Sequence, residues 1–187
     1  TKLACQLIKK SYRPCAGGIV FNKNGHVIIA ERNLERSTQD KQYRWQFPQG
    51  GVETSETFLQ GALRETNEEL GIPVDQLKHV GSIEEIFYYD VPKSSWLARQ
   101  GLLGQGIQFS LFYWPNAKLE KCILDISHDE GSPPEFISVR WLETDQWKND
   151  FFPVVIPFKR VIYEKIEKLV SEMIGEYLKK NKINLFN

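Results

Sequence analysis

Cysteine is scarce in this chain and poorly spaced for any common framework. Cys5, Cys15 and Cys122 are odd in number and form no CxxC pair. A disulfide scaffold or a zinc site is therefore not expected, and reduced thiols are. No apolar run reaches the length of a bilayer span, so no membrane role is expected. An excess of either charge is missing as well. Lys and Arg number 24 against 24 Asp and Glu, a formal net charge of zero, which removes any global attraction to nucleic acid and leaves only local patches. Internal repeats and low-complexity linkers are absent. His26, His79 and His128 stand isolated in turn-like contexts, and no catalytic part is expected of them. What is present fits one folded domain over residues 1–187, with 41% hydrophobic and 12% aromatic residues to fill a core. The expected compartment is cytoplasmic, or an organelle after loss of a targeting segment, since Thr1 is not a methionine. No obligate protein partner is evident.

The most informative stretch runs from Trp45 to Ile72. Pro48 and Gly50-Gly51 mark a turn whose backbone can approach a ligand closely. Thr54 or Ser55 is placed to cap a helix that continues to Leu70, where Gly71 and Pro73 stop it. Leu59, Ala62, Leu63, Thr66 and Leu70 form one stripe, expected to face the core. Beside it stand Glu65, Glu68 and Glu69. Like charges at i, i+3 and i+4 cost roughly 0.2–0.5 kcal/mol each on an isolated helix, so helix stability alone does not explain them. Hard divalent cations, which take oxygen ligands, do.

The stretch resembles the Nudix box, G-x5-E-x7-R-E-U-x-E-E-x-G-U with U a bulky aliphatic. Gly50, Glu56, Arg64, Glu65, Glu68, Glu69, Gly71 and Ile72 fall at the required offsets, and Thr66 at the first U position is the one departure. The box thus spans residues 50–72. The resemblance implies a single Nudix domain with an α+β fold, in which a curved mixed sheet lies between helices as an α/β/α sandwich.

Around the box the pattern is strand-rich. Tyr12–Asn22 and His26–Ala30 read as a hairpin around Asn24-Gly25, with Gly17-Gly18 marking a close backbone contact or a bulge. The charged stretch Arg32–Arg44 reads as a mobile surface loop. Val80–Val91 reads as one strand, Lys93–Gly106 as a loop, and Ile107–Trp114 as another strand. Cys122–Ile126 and Glu135–Leu142 are further strand candidates, and Thr144–Trp147 a short turn. A terminal helix over residues 157–180 starts at Pro157, with an apolar face of Val161, Ile162, Ile166, Leu169, Val170, Met173 and Ile174.

Flanking motifs narrow the resemblance. Tyr12-Arg13-Pro14, the lead-in Trp45–Gly51, Tyr89–Pro92, Gly104-Gln105, Glu135-Phe136 with Trp141, and Phe158-Lys159-Arg160 are similar in order to bacterial RNA pyrophosphohydrolases and plant-type asymmetrical diadenosine tetraphosphate hydrolases. Two departures are a lengthened Arg32–Arg44 loop and Gly106-Ile107-Gln108, where lysines are usual. The resemblance implies Mg²⁺, with Mn²⁺ as a substitute, held by Glu65, Glu68, Glu69 and the Gly50 carbonyl. It gives Glu135 a further metal or the placing of water. Glu68 is the expected general base and Glu65 the second choice, while Glu56 and Arg64 form a structural ion pair. On the substrate side it points to Arg13, Arg32, Tyr89, Gln105, Phe158 and Lys159; cations suit phosphates and rings suit bases. The reaction implied is attack of water on a phosphoanhydride bond. Zero net charge and the missing lysines put dinucleoside polyphosphates first as substrate and the 5′ triphosphate or diphosphate end of RNA second. A nucleotide- or RNA-binding module without turnover is a remote third.

Overall fold

The computed structural model describes residues 2–33, 42–122, 124 and 134–183. After a single helical turn, α1 (Ala4–Leu7), the chain enters β1 (Tyr12–Phe21) and returns as β2 (Val27–Arg32). The turn between them is built by Asn22 and Gly25. The Asn22 side-chain oxygen accepts the backbone N–H groups of Asn24 and His26 at 2.9 and 3.1 Å, and Gly25 takes the left-handed φ of +80°. Short strands β3 (Trp45–Gln46) and β4 (Gln49–Gly51) lead into α2 (Phe58–Leu70). Then come β5 (Lys78–Ser82), β6 (Phe87–Asp90), α3 (Trp96–Arg99), β7 (Gly104–Tyr113), β8 (Phe136–Leu142) and α4 (Pro157–Lys180).

Among the described residues the strands form one eight-stranded mixed sheet with the path β3-β2-β1-β7-β5. Its axis is the long parallel pairing of β1 with β7, from Tyr12 opposite Gly104 to Phe21 opposite Tyr113. The strand β4 pairs antiparallel with β1, β6 with β7, and β8 with β2. Side chains alternate between two apolar layers, as the strand period requires. Ile19, Phe21, Ile29, Phe109 and Leu111 pack with Ile162, Ile166, Val170 and Ile174 of α4. Ala16, Val20, Ile28 and Phe112 pack with Phe58, Ala62 and Leu70 of α2. This is the expected sheet between helices. Among the described residues no helix is long and apolar enough to cross a membrane.

Several local expectations are corrected. The cap of α2 is Thr57, not Thr54 or Ser55; its hydroxyl accepts Gln60 N–H at 3.2 Å, and the Gln60 side chain returns to Thr57 N–H at 2.9 Å. The buried stripe holds Phe58, Ala62, Thr66, Glu69 and Leu70, whereas Leu59 and Leu63 are half-buried. Val80–Val91 is broken into β5 and β6, which pair with different stretches of β7. The expected loop after it contains α3, and β7 begins at Gly104 rather than Ile107. Glu135 precedes β8, which starts at Phe136. Thr144–Gln146 is a 3-10 turn followed by a wider helical turn over Trp147–Phe151. On α4 the extent is as expected, but Val161 and Leu169 are exposed at 53% and 42% while Tyr163 and Leu178 are buried in their place. Cys122 and Leu124 lie in no strand; Ile126, His128 and residues 34–41 of the charged loop fall outside the described residues.

Gly17 and Gly18 make the close contacts that the sequence suggests. A Cβ on Gly17 would lie 2.4 Å from the Phe109 ring, and one on Gly18 would lie 2.0 Å from Thr66 Oγ1. The Thr66 hydroxyl in turn donates to Ala62 O at 2.7 Å. A small polar residue thus replaces the bulky aliphatic of the box where Gly18 of β1 packs on α2.

Candidate active site

Strand pairing fixes the Gly-rich turn against the helix. Gly51, Gly50 and Gln49 of β4 sit opposite Cys15, Ala16 and Gly17 of β1, and Gly18 N–H donates to Pro48 O at 2.9 Å. A Cβ on Gly50 would fall 2.1 Å from a carboxylate oxygen of Glu65, so any larger residue here would displace that carboxylate from the turn. One turn further along α2, Glu69 Oε2 accepts the Gln49 backbone N–H at 2.8 Å.

Arg64 binds the same region together from the side. Its Nε and Nη2 meet Glu56 at 2.8 and 3.0 Å, and Nη2 also donates to Gly51 O at 2.8 Å. The expected ion pair therefore forms and ties the loop to α2. Sequence reasoning missed that Nη1 of the same guanidinium reaches Glu65 at 2.7 Å and Glu68 at 2.9 Å. One cation thus offsets the repulsion that the acidic spacing creates. Hydrogen bonding to Arg64 lowers the Glu56 pKa. Burial raises that of Glu65 despite Arg64. Glu69 is raised well above the usual carboxylate range, first by burial and then by repulsion from Glu135 and Glu65.

A cleft of about 260 Å³ opens beside this turn. All six expected substrate residues line it: Arg13, Arg32, Tyr89, Gln105, Phe158 and Lys159. Gly50 and Glu135 line it too. Arg32 Nε lies 3.8 Å from Glu135 Oε1. The hydroxyl of Tyr89 donates to Gln105 Oε1, and the Tyr89 ring stacks on Phe158 with centroids 5.0 Å apart at 23°. Lys159 keeps some solvent contact as a residue, but its ammonium turns inward and donates to Gln46 Oε1 at 2.7 Å. Burial of that ammonium, then repulsion from Arg32, lowers its pKa to about 8. A larger depression of about 440 Å³ beside the start of α4 gathers Lys148, Arg160, Glu164 and Glu167 and none of the expected residues. Chemistry, rather than volume, singles out the first.

Four lining residues escaped the sequence reading: Cys15, Gln46, Gln49 and Val91. For Gln46 and Gln49 a signal existed, since amides flank the buried Phe47 in the Trp45–Gly51 lead-in. Gln46 holds Lys159, and Gln49 Oε1 accepts the Tyr163 hydroxyl at 3.1 Å. Cys15 gives no such signal; its buried thiol is pushed up to about 12 by desolvation and is no nucleophile. His26 and His79 do not line the cleft.

Among the described residues, no three acidic, histidine or cysteine side chains are grouped as a ready-made metal cluster. The donor set nonetheless fits a hard divalent cation. Buried Glu69 is repelled by both Glu65 and Glu135, and the Gly50 turn abuts Glu65, so oxygen donors that Arg64 offsets only in part gather behind Gly50, which lines the cleft.

Carboxylates crowded behind a glycine turn, beside a cleft lined by Arg13, Arg32 and Lys159, fit a hydrolase of phosphoanhydride bonds. The sequence matches the NUDIX domain over residues 11–162, and the chain belongs to the Nudix family of hydrolases. It is 34% identical to an RNA pyrophosphohydrolase of Wolbachia pipientis subsp. Culex pipiens (strain wPip), covering 89% of this chain and 93% of that protein. To the RNA pyrophosphohydrolase of Wolbachia sp. subsp. Brugia malayi (strain TRS) it is 32% identical, with 89% and 94% covered. Among solved structures, the C. elegans Ap4A hydrolase binary complex superposes with a TM-score of 0.54 at 19% identity, covering 89% of this chain and 98% of that one, a likeness of fold.

Proposed function

We propose that this Nudix pyrophosphohydrolase acts on the 5′ triphosphate or diphosphate end of RNA, releasing pyrophosphate or phosphate. The observation that carries the proposal is similarity along nearly the whole length to relatives named RNA pyrophosphohydrolase. This reverses the order expected from the sequence, which put dinucleoside polyphosphates first. The missing lysines after Gln105 weigh less in the fold. A Cβ on Gly106 would lie 2.8 Å from the side chains of Ile8 and Tyr88, so that position packs the N-terminal segment. Arg13, Arg32 and Lys159 in the cleft supply a local positive patch in their stead. A module without turnover is set aside, because all the carboxylates of the box are present in a chain of this hydrolase family.

In this reading Glu65, Glu68, Glu69 and the Gly50 carbonyl would hold Mg²⁺, or Mn²⁺ in its place, and Glu135, which lines the cleft with Gly50, would bind a further metal or place water. The metal supplies charge neutralisation at the phosphoryl oxygens and a more acidic water. Glu68, with 32% of its side chain exposed against 12% for Glu65, would be the base that accepts a proton from the attacking water. Arg13, Arg32 and Lys159 hold the phosphate chain, and Arg64 with Glu56 keeps the turn on the helix.

The test compares kcat/KM with Mg²⁺ on 5′-triphosphorylated RNA and on diadenosine tetraphosphate. RNA is expected to be the better substrate. A preference for diadenosine tetraphosphate restores the other reading, and turnover of neither sinks both.

A further inference from the structure

Two polar side chains of α4, four residues apart on one helix face, end on the same short stretch of chain. Lys159 reaches Gln46, while Tyr163 reaches Phe47 and Gln49. Phe47 lies between β3 and β4, in neither strand, and its N–H donates to the Tyr163 hydroxyl at 3.3 Å. The same hydroxyl donates to Gln49 Oε1 at 3.1 Å, and the Gln49 backbone N–H donates to Glu69 Oε2 at 2.8 Å. A polar line thus runs from α4, through the lead-in to the glycine turn, to a box carboxylate on α2.

Packing fixes the Tyr163 ring. It is 1% exposed, stacks on Phe151 with centroids 5.3 Å apart at 13°, and meets Phe47 edge-on at 4.9 Å. Phenylalanine would fill this apolar cluster equally well, and a buried hydroxyl costs free energy unless it is bonded. Its two bonds both go to the lead-in. We infer that Tyr163 is a positioning residue, whose hydroxyl holds Gln49, and with it Gly50, in register with Glu69. This rests on the metal site of the functional reading above and adds the residue of α4 that keeps the glycine turn against the carboxylates. Outer groups that orient metal ligands typically carry roughly 10–100-fold in metal affinity or activity.

Tyr163→Phe keeps the ring and removes the hydroxyl. Ile166→Val, a truncation in the same buried face of α4, is the control for lost stability alone. Mn²⁺ binding is followed by electron paramagnetic resonance without substrate, beside kcat and KM with Mg²⁺ on 5′-triphosphorylated RNA. In Tyr163→Phe the Kd for Mn²⁺ should rise by about tenfold, and kcat at limiting Mg²⁺ should fall. Its KM for RNA should stay within about twofold, because Lys159 keeps Gln46. Ile166→Val should bind Mn²⁺ like the parent. Gln49→Leu, which cuts the same line at its middle, should weaken Mn²⁺ binding as Tyr163→Phe does. Unchanged Mn²⁺ affinity in Tyr163→Phe overturns the inference, and so does an equal loss in Ile166→Val. Should the parent protein turn over no RNA, the choice of substrate fails while the Mn²⁺ titration still decides. Should it bind no Mn²⁺, the metal site fails and hydrogen exchange decides instead. The Gln49 amide should then exchange about tenfold faster in Tyr163→Phe than in Ile166→Val, and equal rates overturn the inference.

Discussion

The carboxylates behind the cleft and the cations that line it are opposite in charge and opposite in origin. The carboxylates come from one continuous stretch. Glu65, Glu68 and Glu69 lie on a single helix behind Gly50, which lines the cleft, and Arg64 of the same helix holds two of them. The cations are collected from distant elements: Arg13 on β1, Arg32 on β2 and Lys159 on α4, each supported by a different neighbour. The three carboxylates keep their helical spacing whatever the rest of the chain does, with β4–β1 pairing bringing Gly50 to them, and such a set suits chemistry with fixed demands on ligand geometry. A dispersed set changes with any one element, and suits the choice of substrate.

If that division holds, the two sets should fail differently. The largest effect is expected from Glu69→Gln, which removes a charge from the carboxylates at nearly constant shape. We expect kcat to drop by roughly two to three orders of magnitude with far-UV circular dichroism unchanged. A mild loss would move the metal site elsewhere. Next is Arg64→Ala, which leaves Glu56, Glu65 and Glu68 without their shared cation. It should cost about 2–3 kcal/mol in urea unfolding, and added Mg²⁺ should restore part of that loss if the carboxylates bind it.

The junction between the sheet and the acidic helix gives a smaller effect. Gly18→Ala drives a methyl group into Thr66 and should destabilise by about 1–2 kcal/mol. The double variant with Thr66→Ala should recover most of it, and simple additivity would show that the two do not touch. The smallest effect concerns the cations and is read from pH. The folded-state pKa of Lys159, about 8, lies below its ordinary value of 10.5, so the unfolded chain binds more protons between those limits. This residue's contribution to stability therefore rises with pH from about 8 to 10.5 and is flat below. Activity should move the other way, with KM climbing above pH 8 as the ammonium is lost. Lys159→Met should flatten both trends, measured by thermal unfolding and by steady-state kinetics across that range.

What could be seen in the sequence follows the same division. The box, its stop at Gly71, the β1–β2 hairpin and the start of α4 at Pro157 all depend on neighbours within a few residues, and they were legible. Thr57 was overlooked as a cap because Thr54 and Ser55 carry the same chemistry; the reciprocal Gln60 side chain distinguishes it. The split of Val80–Val91 was not legible, since each half is strand-forming and only pairing with separate parts of β7 divides them. Val161 and Leu169 are apolar at a helical spacing, yet the sheet reaches only one side of α4 and leaves them outside.

The sequence by itself carried the reaction class, through the resemblance of Gly50–Ile72 to the Nudix box, whose three carboxylates keep their spacing in any fold that forms the helix. Only the tertiary structure decided where the cations go. The parallel pairing of β1 with β7 sets Arg13 beside Gln105, and α4 crosses the sheet so that Lys159 meets Gln46. Burial beside Arg32, which no local pattern encodes, then lowers the pKa of Lys159 and makes its charge depend on pH.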